Sequence, residues 1–165
     1  MTETLRAVVI TVSDEVASGD DADRGGPVAE ELLSEFGLEV VRRVVGDDEG
    51  QLEDALQEAV ASGARFVMTC GGTGIGPRDR TIDVVARHLA FEIPGIAEEI
   101  RRRGLQHTSQ ALVSREIAGV ILHTSGPRVL ILCSPGSRGG VRDAIAVVGP
   151  MLPYIVEQLD GRGHV

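Results

Sequence analysis

Arg65-Phe66-Val67-Met68-Thr69-Cys70-Gly71-Gly72-Thr73-Gly74-Ile75-Gly76-Pro77-Arg78-Asp79 is the stretch on which the fold is decided. It opens on an apolar run that reads as a buried strand. Where that strand ends it gathers four glycines, a hydroxyl, an arginine and a carboxylate. In an open α/β sheet ligands bind outside the carboxyl ends of the strands, and loops with little side-chain bulk let backbone N–H groups approach phosphate oxygens. The chemistry is expected here.

Toward the N-terminus, Ala7-Val8-Val9-Ile10-Thr11-Val12 is a β-branched run ending at Ser13-Asp14, as a central strand ends before a loop. A small-residue, acidic loop is expected from Asp14 to Gly26. Pro27 then fits the first turn of a helix to Phe36, with Val28, Leu32, Leu33 and Phe36 on one face and Gly37 at its stop. Leu38 to Val45 reads as a strand, less buried because Arg42-Arg43 interrupts it. Gly46-Asp47-Asp48-Glu49-Gly50 is a turn into a second helix that carries Leu52, Ala55, Leu56, Ala59 and Val60 inward and stops at Ser62-Gly63. Strand, helix, strand, helix, strand with short connections predicts right-handed crossovers and a parallel sheet.

Toward the C-terminus, Thr81 to Leu89 has helical spacing through Ile82, Val85 and Leu89, and another helix should begin near Pro94 with Ile96 and Ile100 inward. Val113 to Thr124 reads as irregular or short-strand structure. Val129-Leu130-Ile131-Leu132-Cys133 is a further buried strand, followed by a second small-residue loop, Ser134-Pro135-Gly136-Ser137-Arg138-Gly139-Gly140. A helix with Val141, Ile145 and Val148 comes next, then a last one from Pro150 or Met151 to Leu159. The 165 residues suit a single α/β domain, residues 1–165.

With 21 glycines and only 2% aromatics, the core must be built from Val, Ile, Leu and Ala. A formal net charge of −9 argues against a nucleic-acid partner, which needs a basic stripe. Anionic small molecules remain open, with Arg78, Arg80, Arg115 and Arg138 as the local cations. Cys70 and Cys133 each close an apolar run and read as buried small hydrophobes in a reducing compartment. The N-terminus lacks a basic segment followed by an apolar one, and no run reaches spanning length, so a cytoplasmic location and no membrane partner are expected. His88, His107, His123 and His164 show no zinc spacing, and Arg101-Arg102-Arg103 reads as a solvated helix end.

Neither glycine-rich loop is a P-loop or a spaced Gly-x-Gly-x-x-Gly, and each alone also reads as a tight turn. Together they can face one site. Asp47 and Asp79 follow strands of the same sheet, and a carboxylate pair beside phosphates is what Mg²⁺ needs. Asp47 equally suits a helix cap or dipole partner, as do Asp48 and Asp83. Ser13, Ser114 and Ser137 are loop hydroxyls that form no arguable Ser-His-Asp arrangement.

These motifs occur together and in order. Ile10-Thr11-Val12-Ser13-Asp14, Gly71-Gly72-Thr73-Gly74 with Pro77-Arg78-Asp79 and Thr81, Ile93-Pro94-Gly95, Ser114-Arg115 with Ala118-Gly119, and Pro135-Gly136-Ser137 resemble the MoaB/Mog family of molybdenum-cofactor biosynthesis proteins over nearly the whole chain. The resemblance implies a three-layer α/β/α fold around a mostly parallel sheet, a homotrimer, and a molybdopterin adenylyltransferase that moves AMP from Mg-ATP to the terminal phosphate of molybdopterin. By motif match it implies catalytic and Mg²⁺-binding roles for Asp79 and Asp47. Nucleotide binding would fall to Gly71, Gly72, Thr73 and Gly74. Molybdopterin binding would fall to Ser13, Ser114, Arg115, Pro135, Gly136, Ser137 and Arg138. A catalytically weak paralogue, or a non-enzymatic carrier that serves a molybdenum-inserting enzyme, is also compatible with the resemblance. Departures are Gly46 where proline is common, Gly25 where serine is often found, Ile82 where proline often follows the threonine, and Cys133-Ser134 where Asn and an apolar residue often precede Pro-Gly.

Overall fold

The computed structural model describes residues 3–163, so His164 lies outside the described residues. Six strands form one sheet: β1 (Arg6–Val12), β2 (Glu39–Val45), β3 (Phe66–Cys70), β4 (Leu89–Glu92), β5 (Ile117–Ile121) and β6 (Val129–Ser134), in the order β2-β1-β3-β6-β5-β4. The pairs β1–β2, β1–β3 and β3–β6 are parallel, while β5 runs antiparallel to both β6 and β4. The sheet is mostly parallel, with the single reversed strand near one edge.

Side chains alternate across a strand, so each buried strand feeds two cores. Ala7 and Val9, Phe66 and Met68, Leu130 and Leu132 face one way. They meet α2 (Gly25–Glu35), α5 (Pro94–Leu105), α6 (Arg138–Val148) and the start of α7 (Leu152–Leu159), through Leu33, Ile100, Ile145 and Leu152. Val8, Ile10, Val67 and Ile131 face the other way, onto Leu52 and Leu56 of α3 (Glu49–Ala61) and Val84 and Val85 of α4 (Thr81–Ala86). Three layers result. Each such aliphatic side chain taken from water contributes about 1.5–3 kcal/mol. Cys70 joins the first core and Cys133 the second, and burial pushes both thiols up to about 12. β2 is half covered at best, as the arginines in it implied.

Two expectations need correcting. The acidic loop after β1 holds a short helix, α1 (Asp14–Ser18), because the Ser13 hydroxyl accepts from Val16 N and Gly19 closes the turn at φ 84°. The segment from Thr81 is helical only to Ala86, and Leu89 opens β4, which packs on β5 rather than extending the helix. Of the two alternatives for Val113 to Thr124, the short strand is the one found: Ile117-Ala118-Gly119-Val120-Ile121, buried at four of its five positions. That run is too short for periodicity to separate strand from irregular chain. No helix among the described residues is long and apolar enough to cross a membrane.

Candidate functional site

β1, β3 and β6 end side by side, Thr11 level with Cys70 and Cys70 with Ser134. The chain reverses its direction of travel across the sheet between β1 and β3, the kind of switch point where α/β sheets open a crevice. Gly71 and Gly72 take φ of 110° and 69°, a region closed to most residues. A side chain on Gly71 would stand 2.5 Å from the Val12 carbonyl oxygen, and one on Gly72 would collide with the Thr81 hydroxyl. Gly71 N donates to Ser134 O at 3.0 Å, and Arg115 N donates to Thr73 O at 2.7 Å. These bonds draw both glycine-rich loops and the Ser114-Arg115 segment into one assembly.

Thr73 and Gly74 of the first loop, Ser114 of the middle segment and Pro135 and Ser137 of the second loop line a single cleft of about 690 Å³. Ile100, Glu116 and Asp143 are also on its wall. Ser137 caps α6 by accepting from Gly140 N at 3.1 Å, so its hydroxyl proton is left to donate. The Ser114 hydroxyl accepts from Glu116 N at 3.4 Å. Gly136 is exposed and off the cleft wall, lying against Gly71, and its carbonyl faces Gly25 so closely that a side chain on Gly25 would come within 2.7 Å of it. Serine, frequent in the family at Gly25, has no room in this chain. Arg138 is exposed at the start of α6, and Ser13 caps α1; both stand away from the cleft wall.

The two expected carboxylates are placed differently. Asp79 sits on the far arm of the first loop, where Oδ2 accepts from Gly76 N at 2.9 Å and fills the space beside Gly74. Asp47 belongs to a smaller hollow that Arg78 and Thr81 also line. Its Oδ2 accepts from Asp14 N at 3.2 Å, while Asp47 N donates to Asp14 Oδ1 at 2.8 Å. The helix cap belongs to Asp48, which accepts from Gln51 N at 2.9 Å. Asp47 is thereby released from that structural duty.

The local cations are largely matched by acids. Arg78 lies 3.4 Å from Asp14 and 3.3 Å from Glu15, and Arg80 lies 3.0 Å from Glu49. Arg115 grips Asp83 with both terminal nitrogens at 3.0 and 3.3 Å, which holds the Asp83 carboxyl below its ordinary range. The site is not a bare positive basin. An incoming polyphosphate would have to arrive with its own cation or displace these carboxylates.

No group of three or more metal-ligating side chains occurs among the described residues. Mg²⁺ needs only one or two carboxylates and takes the rest of its shell from water and phosphate oxygens. Asp79 and Asp47 fit that demand, each leaving Oδ1 without a donor among the described residues. Each is a hard oxygen donor, though the two lie in separate surroundings, Asp47 in its own hollow and Asp79 on the first loop.

Sequence reasoning missed three contributors. Asp14 opens α1 just after the first strand and was visible as the strand's boundary and in the Ile10 to Asp14 motif, but not as a partner of Asp47. Arg101 is not a solvated helix end: it is part-buried and donates to the carbonyls of Ser114 at 3.0 Å and Glu116 at 3.2 Å, whereas Arg102 and Arg103 pair with Glu99. Glu116 is only 4% exposed, and nothing in Ser114-Arg115-Glu116 marks it for burial.

An α/β sheet that presents a largely apolar cleft with a few polar groups, and two glycine-rich loops at its strand ends, defines a small-molecule-binding protein of the doubly wound type. Residues 8–154 match the family model described as a probable molybdopterin binding domain. The chain belongs to this family, the MoaB/Mog proteins. It is 36% identical over 157 residues to the molybdopterin adenylyltransferase of Pyrococcus furiosus, covering 94% of this chain and 91% of that one. It is 35% identical over 160 residues to the molybdenum cofactor biosynthesis bifunctional protein of Chlorobaculum tepidum, covering 96% of this chain and 50% of that one. The chain thus spans about half the length of such bifunctional relatives. The crystal structure of the tungsten cofactor synthesizing protein MoaB from Pyrococcus furiosus superimposes with a TM-score of 0.88 at 32% identity, over 96% of this chain and 99% of that one. A role in molybdenum-cofactor biosynthesis follows.

Proposed function

We propose that the chain is a molybdopterin adenylyltransferase, joining AMP from Mg-ATP to the terminal phosphate of molybdopterin and releasing pyrophosphate. The observation that carries this reading is the single cleft walled by both glycine-rich loops, the first of which carries Asp79 on its far arm. Two substrates need two adjoining seats. Gly71 to Gly74 would take the nucleotide phosphates, and Ser114, Pro135 and Ser137 the molybdopterin.

A phosphate oxygen of molybdopterin is already ionised, so its attack on the α-phosphorus needs no strong base. The barrier lies in bringing two polyanions together, and positioning with charge neutralisation lowers it. Mg²⁺ arriving with ATP supplies the neutralisation. Asp79 and Asp47 would hold that ion, Thr73 would donate its hydroxyl to a phosphate oxygen, and the glycines leave the loop backbone open to the phosphates because they carry no side-chain bulk. A homotrimer, and delivery of product to a molybdenum-inserting enzyme, belong to the same proposal.

Purified protein incubated with molybdopterin and Mg-ATP should yield adenylyl-molybdopterin and pyrophosphate in equal amounts. Binding of molybdopterin without pyrophosphate would replace the enzyme by a carrier.

A further inference from the structure

Glu116 is the only charged residue among the described residues whose side chain is buried to this degree, and it lies on the cleft wall. No described residue donates a hydrogen bond to its carboxylate. Its nearest charges are Arg101 of α5 and Asp143 of α6, both acting across space rather than by contact. The Arg101 guanidinium instead holds the Glu116 and Ser114 carbonyls at 3.2 and 3.0 Å, which fixes the backbone that carries the acid. Burying an unpaired carboxylate is costly, and it is relieved when a bound ligand brings donors to it. The cleft around it is mostly apolar, with Ile100, Ala111, Val113 and Pro135 in its lining.

We propose that Glu116 is a specificity-determining residue that reads the pterin ring. Its carboxylate accepts two parallel N–H bonds from the 2-amino group and the adjacent ring N3–H, the one edge of a pterin with neighbouring donors. Paired charge-assisted bonds of this geometry are the strong kind, and a site built for a donor rejects an analogue that lacks it. This inference rests on the molybdopterin reading above and adds to it the group that selects the ring. The ionised form is required, and burial pushes the Glu116 carboxyl up to about 7, with Asp143 adding to the rise and Arg101 opposing it. His107 and Arg142 are the other titratable or charged groups on this wall.

The test is a fluorescence titration of the purified chain with 6-hydroxymethylpterin and with its 2,4-dioxo analogue, which replaces the 2-amino donor by a carbonyl acceptor. The wild-type chain is expected to prefer the pterin by at least about tenfold, and Glu116→Gln to lose most of that preference while ATP affinity is unchanged. Pterin affinity should also fall several-fold between about pH 7 and about pH 5.5, where the pterin keeps its N3–H, in the wild type and equally in His107→Gln, as the carboxylate takes up its proton. Pterin binding with no ring preference, or a preference untouched by Glu116→Gln, would overturn the inference and leave the adenylyltransferase proposal standing. No binding of either ring, with no adenylylation of molybdopterin, would overturn both. The wild-type preference and pH arms decide the matter even if the variant does not fold.

Discussion

Asp14 and Asp47 latch the ends of two neighbouring strands to each other: each backbone N–H donates to the other's carboxylate, at 3.2 and 2.8 Å. Ser13 N adds a bond to Val45 O at 2.9 Å in the same seam. Asp47 therefore owes its position to β1 as much as to its own strand. Gly46 sits inside this latch, donating to Gln51 Oε1 at 2.9 Å, and a side chain on it would come within 2.7 Å of Asp14 Oδ1.

Proline, common in the family at that position, should accordingly be harmful in this chain. Gly46→Pro removes the donor to Gln51 and crowds Asp14, so we expect a loss of about 1–3 kcal/mol of stability together with reduced pyrophosphate release. Urea denaturation and a turnover assay measure the two effects. Unchanged values in both would show the latch to be indifferent to Gly46.

Asp79→Asn keeps the acceptor for Gly76 N and the side-chain volume while removing the charge. Thermal stability should change little, and adenylylation should fall by about a hundredfold or more, the cost of losing one preorganised electrostatic group. Full activity in this variant would remove Asp79 from the proposed mechanism.

Gly72 and Gly37 both take positive φ, yet only Gly72 is enclosed, since a side chain on Gly37 meets nothing within 4 Å. Gly37→Ala should cost about 1–2 kcal/mol from backbone strain alone. Gly72→Ala adds a collision with the Thr81 hydroxyl and should cost at least about 1 kcal/mol more. Denaturation midpoints of the two variants, compared side by side, check the difference.

Glu116 binds its proton more tightly in the folded chain, at about 7 against an ordinary 4.5. Folding takes up a proton between those values, so this group's contribution to stability falls as pH rises through that window and the penalty is complete above it. Glu116→Gln should stabilise the protein near pH 8 on the order of 2 kcal/mol and leave it almost unchanged near pH 4. Paired melting curves at the two pH values give the answer.

Arg101→Met retains the apolar stem and removes the bonds to the Ser114 and Glu116 carbonyls. Molybdopterin affinity should drop by roughly tenfold while ATP affinity holds, because the tether acts on the side of the cleft proposed for molybdopterin. An equal loss for both ligands would mean that Arg101 supports the whole fold instead.

What sequence made legible follows from burial. Ala7 to Val12, Phe66 to Cys70 and Val129 to Cys133 are covered on both faces, so their apolar runs are continuous and mark the strands directly. Leu89 to Glu92 is mostly exposed and carries no such run, so its pairing with β5 had no local signal. In the site, Thr73, Gly74, Ser114, Pro135 and Ser137 were each visible in their own loop, and the structure shows that they share one wall. Arg101 and Glu116 were hidden because a charge cluster and a lone acid default to solvent; their burial arises from the packing of α5 against the segment before β5.

The two cysteines acquire a meaning once the cleft is assigned a sulfur-bearing ligand. Cys70 and Cys133 point to opposite faces of the sheet, so they cannot bridge each other, and with thiols held at about 12 they supply almost no thiolate. Neither cysteine lines the cleft, so neither offers a thiolate to the sulfur-bearing ligand proposed for it. Alkylating or mildly oxidising reagents should modify bound molybdopterin and spare the chain.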